Sequence, residues 1–460
     1  MLNDLPAELL TEICSYLCCH CLVRQNTVDE AALDLCTWTW EAQQDLRNFS
    51  RACRTSHVAA EPFLYHHIII FRERHLYLLI RTLLARPDLR LRVLELKISH
   101  SNDAQARAYP GPRPSSPLSV SLAQRTWVLR SHLSESEHEE PAALREAAEQ
   151  RCLVSLSMGL VPNLKTFGFD LPGAGFPQTP DLSTHLNPWT LKSLEKLYFA
   201  SFGADLLLDR LAPIIRLASN LQILHCNQCT YVADTFCVSL GRKTLADPPP
   251  LHNLSELILL DTVMTAGSLR NLLGAVGSGL AKVNIRRRPG TLPSPTEAND
   301  PVEFDEAVSL LRPWHRTLRE LSFSIDGLVL PQPPSRLRDV GFLREFTVLE
   351  ILRAQAAFLD FYGHEGPPEG ALRSNLPPSM RELRLFGFSD LYPALRALWE
   401  AFEAGQFVCL SRIGIDDQGF EEYEPEGEAA QQLRAVATSF RSRGLDFVVH
   451  FPPGESVTEE

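Results

Sequence analysis

The chain has 460 residues, 45% of them hydrophobic and 22% charged, a composition that builds buried cores and excludes a solvated, disordered tail. Fifty-six acids against 44 bases leave a net charge of −12, which argues against a general nucleic-acid binder, because phosphate recognition needs a net basic footprint. No apolar run reaches the roughly 18 residues a membrane helix needs, and eleven cysteines are too sparse for a disulfide framework.

At the amino end, Asp4 and Glu8 stand where a secretory signal would carry cations, so no targeting segment is expected and the cysteines are read as reduced, in the cytoplasm or nucleus. Leu9, Leu10, Ile13, Cys14 and Leu17 then recur at helical spacing, with Pro6 suited to the first turn. A second helical stretch runs from about Asp45 through Leu46, Phe49, Cys53 and Val58. A third short segment, from Glu61 to His66, carries Phe63, Leu64 and Tyr65. Three short helices with this much apolar surface cannot bury all of it among themselves, so part of it is expected to face a partner.

These residues fall into three ordered blocks. Leu5-Pro6-x-Glu8-Leu9-Leu10-x-x-Ile13-x-x-x-Leu17 comes first, Asp45-Leu46-x-x-Phe49-x-x-x-Cys53-Arg54 second, and Pro62-x-Leu64-Tyr65 third. Together they resemble an F-box, a small all-helical domain, over residues 1–70, with a long insert at about 18–44. Inserts that begin with a pair like His20-Cys21 resemble those of filamentous-fungal F-box proteins. The resemblance implies docking on the Skp adaptor of an SCF-type ubiquitin ligase, and through it on cullin. Leu5, Pro6, Leu9 and Ile13 would make the adaptor contacts, with Phe49 and Cys53 in support.

From residue 91 a phrase L-x-x-L-x-L recurs, beginning at 91, 164, 194, 221, 254, 280, 318, 349, 380 and 410. From 164 onward the steps are 30, 27, 33, 26, 38, 31, 31 and 30 residues, the mark of stacked units that cannot bury an apolar face alone. The fourth and sixth positions obey the strand period of two, and stretches such as 206–217 and 391–402 between phrases have helical spacing. The expected class is therefore α/β, a solenoid with a parallel sheet lining its concave side over 71–460. Loops are expected to interrupt it at about 100–117, 286–303 and 363–378. This resembles the degenerate leucine-rich-repeat arrays found behind F-boxes. It departs from them at the ninth position, where Phe202, Thr262, Asp326 and Phe388 replace the usual asparagine or cysteine.

Sites of chemistry are few. Cys18, Cys19, His20 and Cys21, with Cys36, carry half the content of a zinc site, but no second pair follows at short spacing, so no metal and no cofactor is expected. Cys226 and Cys229 fall at inward repeat positions. No phosphate loop, H-E-x-x-H motif or nucleophile elbow occurs, and His66-His67 and His138-Glu139-Glu140 find no partner at workable spacing, so no enzyme is expected. Seven acids and no base lie between Asp416 and Glu428, read as a solvated loop. What remains is surface. The third, fifth and seventh phrase positions point outward and include Tyr198, His225, Ile258, Asn284, Arg286, Arg353, Arg384, Phe386 and Arg412. Arginines and aromatics anchor protein partners, and the arginines suit an acidic or phosphorylated ligand. The expected role is a non-catalytic receptor that holds an unknown protein target for ubiquitylation, with no nucleic acid or membrane involved. The alternative is a scaffold that binds the Skp adaptor without delivering targets.

Overall fold

The computed structural model describes residues 5–18, 21, 37–70, 73–98, 154, 156–172, 191–202, 206–240, 249–262, 264–287, 302, 304–325, 340–355, 376–386, 392–416 and 428–450. The chain divides into two compact units, residues 1–194 and 195–460.

The first unit opens with helices α1 (Ala7–Leu17), α2 (Thr37–Ala52) and α3 (Arg54–Leu64), followed by strand β1 (His67–Ile70). Then come α4 (Glu73–Ala85), α5 (Pro87–Arg90), β2 (Glu95–Ile98) and β3 (Thr166–Pro172). Cys14, Leu46 and Ala60 form a core with Leu17, Phe49, Phe63 and Leu64 packed around it, so each of the first three helices contributes. The second helix starts at Thr37, inside the expected insert, and the stretch expected to run on to Val58 breaks at Cys53. The break is a reciprocal cap: the Ser56 N–H donates to Cys53 Sγ at 3.4 Å, and the Cys53 N–H donates to Ser56 Oγ at 3.0 Å. Residue 70, where the sequence reading ends its helical domain, is the last residue of β1, inside the first unit.

β1, β2 and β3 pair in parallel, with Glu95 opposite both His67 and Thr166. That register corrects the first repeat phrase by two residues. Val93, not Leu91, takes the leading position: Val93 is 0% exposed and Leu91 55%.

Among its described residues the second unit has nine parallel strands in its main sheet, hydrogen-bonded in chain order, and a separate parallel pair, Leu206–Leu207 with Cys229–Tyr231. The nine are β4 (Lys196–Phe202), β5 (Ile223–Asn227), β6 (Glu256–Thr262), β7 (Lys282–Arg287), β8 (Glu320–Ile325), β9 (Ile351–Gln355), β10 (Glu382–Phe386), β11 (Arg412–Asp416) and β12 (Asp446–His450). Between them lie α6 (Ala212–Leu217), α7 (Phe236–Ser239), α8 (Ala266–Gly274), α9 (Phe304–Leu311), α10 (Tyr392–Glu403) and α11 (Glu428–Ser442). The expected α/β class with a parallel sheet and intervening helices holds. β7 runs to Arg287, two residues into a segment read as loop; residues 288–301, like 99–153 and 363–375, lie outside the described residues.

Register explains why the phrase works. Leu197, Leu224, Leu257, Val283, Leu321, Leu352, Leu383, Ile413 and Phe447 stand side by side at the fourth position, none more than 1% exposed. Fully burying each such side chain is worth about 1.5–3 kcal/mol. Helices cover this face: Phe304 of α9 meets Phe323 at 5.5 Å, and Trp399 of α10, Phe440 of α11 and Phe447 of β12 form one aromatic cluster. Polar side chains just before the leading position stitch units together in place of the missing ninth-position asparagine. Asn253 donates to the Ser219 carbonyl at 3.0 Å, Thr317 to Leu280 at 2.9 Å and Ser379 to Leu349 at 2.8 Å.

Candidate functional site

α1 has two apolar faces. One is dry: Leu10 and Cys14 are both 0% exposed. The other carries exposed Pro6, Leu9 at 46%, half-buried Ile13 and Tyr16 at 56%. Steps of three, four and three keep these four on one stripe of the helix. Leu5, just before the helix, is half-buried. Of the residues the resemblance assigns to adaptor contact, then, Leu5, Pro6, Leu9 and Ile13 gather at one accessible surface. Phe49 packs against the three-helix core, and Cys53 serves as the cap of α3. Tyr16, which completes the stripe, was missed by the sequence reading although its spacing from Leu9 and Ile13 marks it. On the buried-face side of α1, away from the stripe, an open groove between α1 and α3 is lined by Ala7, Leu10, Thr11, Val58, Ala59 and Pro62.

The two cysteines of these helices behave oppositely. Burial pushes the Cys14 thiol up to about 11, so it keeps its proton. Hydrogen bonding with the Ser56 side chain, and next with the Ser56 backbone N–H, holds the Cys53 thiol below its ordinary value.

His66, expected to be without a partner, stands at the junction of α3 and β1. Its N–H donates to the Phe63 carbonyl at 3.1 Å, and its own carbonyl accepts from Leu94 and Glu95 at 3.1 and 2.8 Å. Its Nδ1 lies 3.8 Å from Cys18 Sγ and 3.6 Å from Cys21 Sγ. These three are the one group of metal-ligating side chains found together among the described residues. Cys19, His20 and Cys36 lie outside the described residues.

On the second unit's sheet, the residues predicted to point outward share one face. Tyr198, His225, Ile258, Asn284, Ser322, Arg353, Arg384, Gly414 and Val448 stand in register as a single row. It begins aromatic, with Tyr198 and His225 edge-on at 5.5 Å, and turns basic toward its far half. Phe386 follows two residues after Arg384 on the same face. The adjoining row holds Glu256, Lys282, Glu320, Glu382, Arg412 and Asp446. Acids of this row, and Asp261 at the end of β6, answer the predicted arginines: Arg286 pairs with Asp261 at 3.3 Å, and Arg353 with Glu320 at 3.0 Å and Glu382 at 3.6 Å. Arg384 reaches Glu382 at 3.7 Å, and Arg412 reaches Asp446 at 3.3 Å. Half-exposed pairs of this kind are each worth about 0.2–1 kcal/mol. Their greater effect is to lay alternating charge along the sheet. The sequence reading singled out the arginines and passed over Glu320 and Glu382, which occupy the third position of their phrases and were legible by the same period.

No helix among the described residues is long and apolar enough to cross a membrane. No family model matches the sequence, and neither does any curated protein. Among solved structures, the chain is similar to a Bacteroides fragilis protein determined as a structural-genomics target, at 12% identity and a TM-score of 0.36, over 74% of this chain and 84% of that one. A likeness at that level carries no argument about fold detail or activity.

Proposed function

We propose that the chain is the substrate-recognition subunit of an SCF-type ubiquitin ligase, its first three helices forming an F-box that docks the Skp adaptor. The observation that carries this reading is the stripe of Pro6, Leu9, Ile13 and Tyr16. It is apolar and accessible although the helix already has a complete buried face of its own. Apolar area left in water is costly, and covering it by a partner returns about 25 cal/mol per Å². The strand–helix units, dry at the leading, fourth and sixth positions of each phrase from 194 to 410, support a leucine-rich-repeat reading of the remainder, whose outward face would hold a protein target. Such a subunit performs no chemistry. It raises the effective concentration of the target's lysines near a charged conjugating enzyme.

Affinity purification tests the proposal. The wild-type chain is expected to recover the Skp adaptor and cullin, and a Leu5→Asp, Pro6→Ala variant to recover neither while remaining folded. Undiminished adaptor recovery by the folded variant would refute the assignment.

A further inference from the structure

We propose that Cys18, Cys21 and His66 hold a zinc ion that fastens the carboxyl end of α1 to the junction of α3 and β1. The geometry comes first. Zinc at about 2.3 Å from sulfur and about 2.0 Å from nitrogen, with tetrahedral angles, sets sulfur and nitrogen ligands about 3.6 Å apart. The separations here are 3.6 Å from Cys21 and 3.8 Å from Cys18 to the same ring nitrogen, and all three donor atoms lie within 4.8 Å of one another.

A thiol–imidazole hydrogen bond accounts for one such approach, and Cys18 Sγ also has the Phe63 carbonyl as an acceptor at 3.9 Å. Nδ1 offers either one lone pair or one proton, so it satisfies one sulfur at a time. A cation at the centre of the triangle accepts a lone pair from all three at once. The donor set is selective as well: two thiolates and an imidazole suit zinc and disfavour magnesium or calcium, which take oxygen. Cys-x-x-Cys is also the short ligand spacing of structural zinc sites, here joined by a histidine 45 residues after Cys21.

Two of the ligands, Cys18 and His66, sit on fixed backbone. Cys18 caps α1 and is buried. His66 is pinned from both sides of its peptide by Phe63, Leu94 and Glu95, and the Phe63 ring lies 5.0 Å from its imidazole. Such placement spends little entropy on binding. On loading, the two thiol protons pass to solvent and both sulfurs bind as thiolates. Three protein donors leave one tetrahedral position, whose occupant is a measurable quantity. The ion would fasten the end of the helix bearing the accessible stripe, yet the inference stands on the three side chains alone.

The test uses the full chain purified under reducing conditions and incubated with Zn²⁺. Elemental analysis is expected to give about one zinc per chain, and X-ray absorption at the zinc edge at least two sulfurs and one imidazole nitrogen. A Cys18→Ser, Cys21→Ser variant and a His66→Ala variant should each lose the metal, while Cys409→Ser at an exposed position keeps it. Ligand variants that fail to fold do not block the test, because a mercurial thiol reagent added to the wild-type protein should release its zinc to a chromophoric chelator. Folded, reduced wild-type protein that takes up no zinc would overturn the proposal. So would zinc retained by either folded ligand variant, or an absorption spectrum showing only oxygen and nitrogen neighbours.

Discussion

Leu9 and Leu10 are the same residue type on adjacent positions of α1, and the fold assigns them opposite duties. Leu10 is 0% exposed, so Leu10→Ala removes buried methyl groups and leaves a cavity, at a cost of about 2–5 kcal/mol in folding stability. Leu9 is 46% exposed on a helix surface where alanine is equally at home, so Leu9→Ala should alter stability by no more than about 0.5 kcal/mol. Docking reverses the order. Covering the exposed half of a leucine is worth about 1 kcal/mol, half of the roughly 1.5–3 for the whole side chain, so Leu9→Ala should weaken adaptor binding about fivefold. Leu9→Asp also forces a carboxylate to lose water at the contact, and its loss should exceed about tenfold. Denaturant unfolding and calorimetric titration with purified Skp adaptor measure the two quantities separately. If folded Leu9→Asp binds the adaptor as the wild type does, the stripe is not the docking surface. If Leu9→Ala destabilises as much as Leu10→Ala, the face is not accessible and the reasoning fails at its first step.

The cysteines give a second outcome. At mildly alkaline pH, iodoacetamide should label Cys53, whose thiol is held low by Ser56, and should spare Cys14 until denaturant is added; equal labelling of folded protein would refute the assigned environments. The sign for stability follows: Cys14 keeps its proton in the fold, so its contribution is intact below its ordinary value of 9.0 and is lost as pH rises toward about 11. On the sheet, Arg353→Glu with Arg384→Glu brings two new carboxylates to Glu320 and Glu382 and should cost about 1–3 kcal/mol of stability. Adding Glu382→Arg restores alternation and should recover part of that loss. Both variants are expected to keep adaptor binding and to lose co-purifying target, and a folded triple variant that still captures the target would remove these arginines from the recognition surface.

Much of the second unit was legible because its signal is local. A leading apolar residue followed by apolar residues at the fourth and sixth positions describes a strand with one dry face, and each phrase from 194 to 410 carries that pattern. The failures have equally local causes. At 91–98 two overlapping readings, LRVLEL and VLELKI, fit the template, and only pairing of Glu95 with Thr166 decides between them. The last repeat escaped notice because Gly444, at φ +81, holds the leading position where a leucine was sought. β1 was hidden at the end of the helical domain expected over 1–70, since His67 starts a strand just after the third segment. Cys18 and Cys21 stood out in the sequence as half a zinc site, but His66 as their companion was out of reach for a different reason. The three are brought together by the packing of α1 on α3, and no spacing rule along the chain encodes that contact.

The two surfaces assigned to partners differ in how far they are satisfied alone, and this decides what each can contribute. Among the described residues the α1 stripe has no counterpart: Leu9 and Tyr16 are exposed, so burial there by a partner would supply affinity with little dependence on partner detail. The sheet face already answers itself. A ligand that engages Arg353 or Arg384 competes with Glu320 and Glu382 for the same guanidinium groups, so its net gain is the difference between two ion pairs. A uniformly anionic ligand meets those acids as well as the arginines. A target with charges of both signs in matching register can replace each internal pair without stranding its partner. Selection on this face would therefore act through the cost of mismatched registers, which favours specificity over strength.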